Sequence, residues 1–517
     1  MHPTFWSLLP FLTVIPVALL TRQVLPGLVV GLLIGSYMMQ PHILGGLDAA
    51  VFYLLKEIAV SNNVRLLVFL YGFGSFVGLI RVTGGVAGFA NWMNQRIQTV
   101  RGAFILTWLS SLATFMAPDF RIITVGPVMQ RVFQRLKVPD SKVAFIIDAT
   151  STPLIALTPI GTAFVGYMVG LIASSARHIR LGETAYEILL QSLPYNFFAI
   201  LMLLYALYLT FFTGNKDTCQ SEDQENQKDC PPTIQTPFRA SPQVAYMNQL
   251  RETPQDTIKE KTPQKKISGA SSEHEPDSDF PDPIEIVSET VTPRAIHLVV
   301  PLLVLLCLTF LLTWWDGASK ASTFWGALIK ADASKAMLEA IFITLLLMMI
   351  WYTLFRQPLA RLLFGFMQGG NEMMGVNLLL ALVWALTAVS TDLGFIPYTK
   401  NLIGSSLPAL WLTPAFFLIG CVIAYILGSS FGSWAILMPL GFSLAAGTAV
   451  PLPLIAGAVF ASGTFGGFAS LLSDNTVAMA TVMKLPLMKY SRMKLKASLL
   501  VGIASLLLYV AVSWIIT

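Results

Sequence analysis

The chain has 517 residues, of which 55% are hydrophobic and only 12% charged; its mean hydropathy is +0.67 and its formal net charge +5. A soluble protein usually carries about 25% charged residues. This composition excludes a soluble globular protein and leaves an all-α polytopic membrane protein whose first partner is the lipid bilayer, with nothing pointing to nucleic acid.

Taken in chain order, ten apolar stretches read as membrane spans, at roughly 5–20, 24–40, 64–80, 142–174, 193–213, 294–315, 336–354, 374–391, 452–483 and 496–516. Spanning takes about 20 residues. Residues 1–20 lack a basic leader and a small-residue cleavage site, so they read as a first membrane helix. Two further stretches, 102–130 and 411–440, are too long for one simple helix and too short for two. Between the halves lies a polar stretch, 214–293, which holds 15 of the 28 acidic residues and has too few apolar side chains to fold alone. It divides the chain into an N-terminal membrane half (1–213), a disordered cytoplasmic linker (214–293) and a C-terminal membrane half (294–517). Of the four cysteines, Cys219 and Cys230 fall in this linker, while Cys307 and Cys421 sit in apolar segments.

Short cytoplasmic loops are enriched in Lys and Arg. Arg81, Arg96 and Arg101 mark one such connector, and Arg131, Arg135, Lys137 and Lys142 mark the next. Residues 102–130 therefore leave and return on one side, as a re-entrant hairpin. The flanks of 411–440 are nearly free of charge, so that hairpin enters from the opposite face. Lys484, Lys489, Arg492, Lys494 and Lys496 read as a basic cytoplasmic loop after a single crossing by 452–483. Residues 41–63 and 177–187 read as external connectors, and both termini as outside. Each half then has about five transmembrane helices, one of them interrupted, plus a hairpin. That pattern is an inverted-topology repeat, an architecture of secondary transporters.

A charge among membrane-length apolar residues is costly unless it faces a cavity, a partner or an ion. Such charges lie in two interruptions, one per half: Asp148-Ala149-Thr150-Ser151-Thr152-Pro153 and Ser473-Asp474-Asn475-Thr476. The hairpins are expected to turn near Ala117–Arg121 and Gly428–Ser433, and the interrupted helices to break at 148–162 and 462–476. Backbone left unpaired at bilayer depth is tolerated only where it lines a polar cavity. Asp148 and Asp474 are candidates for a sodium ligand or proton carrier. Ser151, Thr152, Thr158, Ser473, Asn475 and Thr476 could add the oxygens that a hard cation takes, and Ser429 and Ser430 mark the second hairpin tip. The alternative is that the aspartates cap half-helices or pair with a basic residue. At the first hairpin, Arg121 either pairs with Asp119 or neutralises a substrate carboxylate, a task that its forked donors suit. Gly72, Gly74 and Gly78 read as positions of close helix packing.

Several of these residues together resemble the NhaC-type Na+/H+ antiporters of the wider ion-transporter superfamily: Thr124–Met129, Lys142–Pro153, Asp392-Leu393-Gly394, Gly428–Trp434 and Ser473–Thr476. The resemblance covers both membrane halves. It implies a bacterial inner-membrane antiporter that exchanges a cation or a small carboxylate against protons or sodium, with Na+ and H+ as coupling ions and no cofactor. It also implies a homodimer in which a transport domain slides against a scaffold, as in an elevator. The chain departs from the family pattern at Phe465–Ser470 and at Pro118-Asp119, where Arg121 follows. A small organic anion or amino acid is accordingly the alternative substrate. An enzyme is not indicated: no His-Glu-x-x-His or Walker-type run occurs.

Overall fold

The computed structural model describes residues 5–96, 99–114, 118–159, 161–177, 183–212, 291–398, 409–448 and 450–516. Except for its last three residues, the 214–293 linker lies outside them, as do Cys219 and Cys230. The described residues form helices joined by short turns, with no strand among them. Seven helices are long and apolar enough to cross a membrane, or up to nine if each of two bent pairs counts as one span. Ten spans were expected; the first, Phe5–Thr21, and the last piece of the first interrupted one, Ala163–Ala176, are too short to be counted, and the connectors also differ from expectation. Residues 41–63, read as an external connector, contain the helix Ile43–Ile58, which is bent by 119° from Val24–Met39. Its exposed Ile43, Leu44, Leu47, Val51 and Leu55 recur at helical spacing, while Ala49, Ala50 and Tyr53 are buried. A second amphipathic helix, Leu359–Glu372, likewise occupies the connector holding Arg361.

The chain turns where the sequence has turn chemistry. Helix Ala409–Leu427 stops at Gly428, whose φ of +66° suits a residue without a Cβ. Ser429 then caps helix Ser430–Ala445 by accepting a hydrogen bond from the Gly432 amide at 3.2 Å. The other hairpin pairs Val100–Ala113 with Pro118–Arg135, a helix that opens on proline. The first interrupted segment is in three pieces, Asp140–Ala149, Thr152–Leu157 and Ala163–Ala176. The second is in two, Leu452–Ala469 and Asp474–Val482.

Each hairpin packs on the broken segment of the other half. Phe164 and Tyr167 of the first broken segment meet Phe431 and Trp434 of the second hairpin, and the Tyr167 hydroxyl donates to the Phe431 carbonyl at 2.9 Å. Conversely, Pro118–Arg135 packs on Asp474–Val482, and Gln130 Nε2 donates to the Met483 carbonyl at 3.0 Å.

Helices Ser61–Val82 and Leu359–Glu372 cross on glycines. Gly74 and Gly78 face Gly365 and Gly369, and a Cβ added at Gly78 would lie 2.9 Å from the Gly369 Cα. That is the close approach small residues permit between membrane helices. Gly72 has room instead, since a Cβ there would make ordinary contacts with the Leu345 and Ile341 side chains at 3.4 and 3.6 Å. Gly78→Leu should therefore cost on the order of 2 kcal/mol through overpacking, while Gly72→Ala should melt near wild type. Thermal melting of both variants in detergent checks this, and equal melting temperatures would count against the crossing.

Candidate functional site

The first broken segment ends its leading helix at Ala149, which leaves Asp148 in the last turn with no exposed surface. A buried carboxylate needs a partner, and the C-terminal helix Leu487–Ile516 supplies two from consecutive turns. Lys494 Nζ donates to Asp148 Oδ2, and the Tyr490 hydroxyl donates to the same oxygen at 2.9 Å. Lys494 also donates to Thr476 Oγ1 at 3.0 Å and lies 4.5 Å from the centre of the Phe468 ring. Asp148 Oδ1 is buried and has no hydrogen-bond partner among the described residues. One ammonium thus joins the first broken segment, through Asp148, to the second, through Thr476.

Asn475 makes a second bridge, with its Nδ2 donating to Thr152 Oγ1 at 3.1 Å. Its Oδ1 is another buried acceptor without a partner. Asp474, one residue earlier, opens the half-helix with an exposed side chain that has no hydrogen bond or ion pair among the described residues. The structure brings Asp148, Thr152, Asn475 and Thr476 together and leaves the Asp474 carboxylate outside the cluster.

The remaining hydroxyls bond to backbone. Ser151 donates to the Ile147 carbonyl at 2.6 Å, Thr158 to Leu154 at 3.0 Å and Ser473 to Gly467 at 2.6 Å. Ser430 donates to the Gly463 carbonyl at 2.9 Å, which ties the second hairpin tip to the second broken segment, and Ser429 is the helix cap. Among the described residues, no group of three or more His, Cys, Asp or Glu side chains could hold a metal ion.

Arg121 is fully buried in the first hairpin. Its Nη1 donates to Ser110 Oγ at 3.1 Å and Thr114 Oγ1 at 3.0 Å. Its Nη2 donates to the Thr107 carbonyl at 2.9 Å and Thr150 Oγ1 at 2.8 Å, and Nε has no partner among the described residues. The guanidinium therefore fastens both hairpin arms to the first break, through neutral groups alone among the described residues. The Asp119 side chain lies outside the description.

Lys494 and Tyr490 were missed as site residues because Lys494 sits in a run of basic residues that resembles a cytoplasmic loop. That run belongs to the 30-residue helix Leu487–Ile516. The signal was helical spacing: Tyr490, Lys494, Ser498, Val501, Ser505 and Tyr509 form one buried stripe.

A Haemophilus influenzae protein described as uncharacterized is 23% identical over 493 residues, covering 92% of this chain and 84% of its own. The arginine/ornithine antiporter ArcD of Halobacterium salinarum is 29% identical over 145 residues, 26% of this chain and 28% of that protein. The crystal structure of the Alcanivorax borkumensis YdaH transporter shares the fold, with a TM-score of 0.57 at 13% identity, covering 90% of this chain and 88% of that one. The pattern that defines the Na+/H+ antiporter family matches residues 154–514, well over half the chain. The chain is a multi-pass membrane protein and a secondary transporter, and it belongs to the Na+/H+ antiporter family.

Proposed function

We infer that this transporter exchanges a cation, most simply Na+, for protons across the bacterial inner membrane. The observation that carries the reading is Lys494 bound to Asp148 and Thr476 between the two broken segments. The ammonium stands where a transported cation would sit. Asp148 Oδ1, Asn475 Oδ1 and the Thr476 hydroxyl are oxygens of the hard kind that sodium takes. An arriving Na+ takes the Asp148 carboxylate, and Lys494 withdraws as a neutral amine after giving its proton to water. Charge balances, because one cation binds as one proton leaves. On the other side of the membrane the steps run in reverse.

The reciprocal packing of each hairpin on the opposite broken segment supports an inverted repeat with alternating access about this centre. We extend the reading to an elevator-type homodimer with both termini outside and the 214–293 linker in the cytosol.

In proteoliposomes with imposed sodium and proton gradients, Asp148→Asn should abolish exchange, since an amide can neither balance a cation nor hold the Lys494 proton. Asp474→Asn should have a smaller effect, raising the half-saturating sodium concentration while retaining turnover, because its exposed carboxylate acts only by attracting cations. Near-normal exchange by Asp148→Asn would remove the assignment.

A second reading, exchange of a small carboxylate or amino acid, is favoured by Arg121. Among the described Lys, Arg, Asp and Glu side chains, those with no exposed surface are two cations, Arg121 and Lys494, and one carboxylate, Asp148. A substrate carboxylate at the free Arg121 Nε would neutralise it. The partial similarity to an arginine/ornithine antiporter agrees with this reading.

A further inference from the structure

Apart from the buried pair, a cavity of about 590 Å³ opens between Ala163–Ala176, the start of Ala185–Ser192 and the turn joining Phe324–Lys330 to Ala333–Leu354. Most charges lining it are already matched. Arg177 donates to Glu57 at 2.6 Å, Arg65 to Asp332 at 3.1 Å and Lys320 to Asp316 at 2.7 Å. Two are not. The exposed Lys330 ammonium has no partner among the described residues, and the exposed Glu183 carboxylate accepts only a long bond of 3.5 Å from Gln191. The helices beside these two residues touch, yet Lys330 and Glu183 are not paired with each other. The cavity thus presents one free cation and one nearly free anion, with the amide of Asn62 and the hydroxyl of Ser334 beside them.

The cavity also reaches the first broken segment. Tyr186 lines it, is buried, and donates its hydroxyl to the Pro159 carbonyl at 3.2 Å. Pro159 lies between Thr152–Leu157 and Ala163–Ala176, where the backbone is not helical.

We propose that this cavity binds a small zwitterion of the amino-acid class, its carboxylate against Lys330 and its ammonium against Glu183, beside the break at Pro159. A metal ion or a simple anion would satisfy one of these charges and leave the other unmatched; a zwitterion satisfies both. The site goes beyond the exchange reaction above and needs neither Asp148 nor Lys494.

The test is equilibrium binding of radiolabelled L-alanine and L-leucine to the purified full-length protein, with acetate and methylammonium as competitors that carry one charge each. Saturable binding is expected, with weak competition from either one-charge ion. Lys330→Gln and Glu183→Gln should each weaken it about fivefold, the scale of a partly exposed charge contact. Lys330→Arg and Glu183→Asp should restore most of it. Two results would overturn the proposal: no saturable binding to the wild type, or unchanged binding in both glutamine variants.

Discussion

Lys494→Met should strongly destabilise the protein, and Asp148→Asn combined with Lys494→Met should recover most of that loss without recovering transport. Both side chains are fully buried, and each is the other's counter-ion. Removing one partner of a buried pair leaves an uncompensated charge, at a cost of about 3–5 kcal/mol, whereas replacing both by neutral groups of similar volume is often harmless. The single variant also leaves Asp148 without its internal cation, so sodium should raise the melting temperature of Lys494→Met more than that of the wild type. Thermal melting of the wild type and both variants, with and without sodium, reads all of these effects. If Lys494→Met is as stable as the wild type and indifferent to sodium, the pair is not what holds the two broken segments together.

Arg121→Gln should separate the two substrate readings. The guanidinium already holds four hydrogen bonds to hydroxyls and a carbonyl, so part of its role is to fix the first hairpin on the break. If sodium is the only substrate, the variant should keep exchange with an altered affinity, since it removes a repelling charge near the site. If a carboxylate is carried, its apparent binding should weaken by about 1.5–3 kcal/mol, the worth of a charge-assisted hydrogen bond. Arg121→Lys, which keeps the charge and loses the fork, should fall between. Apparent affinities for sodium and for a panel of small carboxylates and amino acids measure the difference. An Arg121→Gln variant unchanged toward every carboxylate removes the second reading.

The breaks were legible in the sequence because they depend on local chemistry. Glycine and serine at 428–429, proline at 118 and the polar runs at 148–153 and 473–476 each interrupt an apolar stretch, and the helices break there. The amphipathic helices Ile43–Ile58 and Leu359–Glu372 were not legible by apolar length, because only one face of each is apolar; their period of 3.6 carries the signal. Within the site, Asp148 was marked by its isolation, but its partner was hidden for the opposite reason. A lysine among four other basic residues reads as a solvated loop, and only the spacing of Tyr490, Lys494 and Ser498 shows that one side of the run faces inward. Charge counting is blind to which face of a helix a residue occupies, so it placed Lys494 in water. It likewise ranked Asp474 equal to Asp148, although only Asp148 is enclosed.

The exchange of a Lys494 proton for a cation at Asp148 is tested most directly by proton release on sodium binding. Purified protein in weakly buffered detergent solution is mixed with sodium chloride, with choline chloride as the control, and the pH change is followed. Cation binding at a site held by a proton must expel that proton. The wild type should release on the order of one proton per chain, specifically with sodium, and Asp148→Asn and Lys494→Met should release none. Sodium binding without acidification, or the same acidification from Asp148→Asn, would contradict the account.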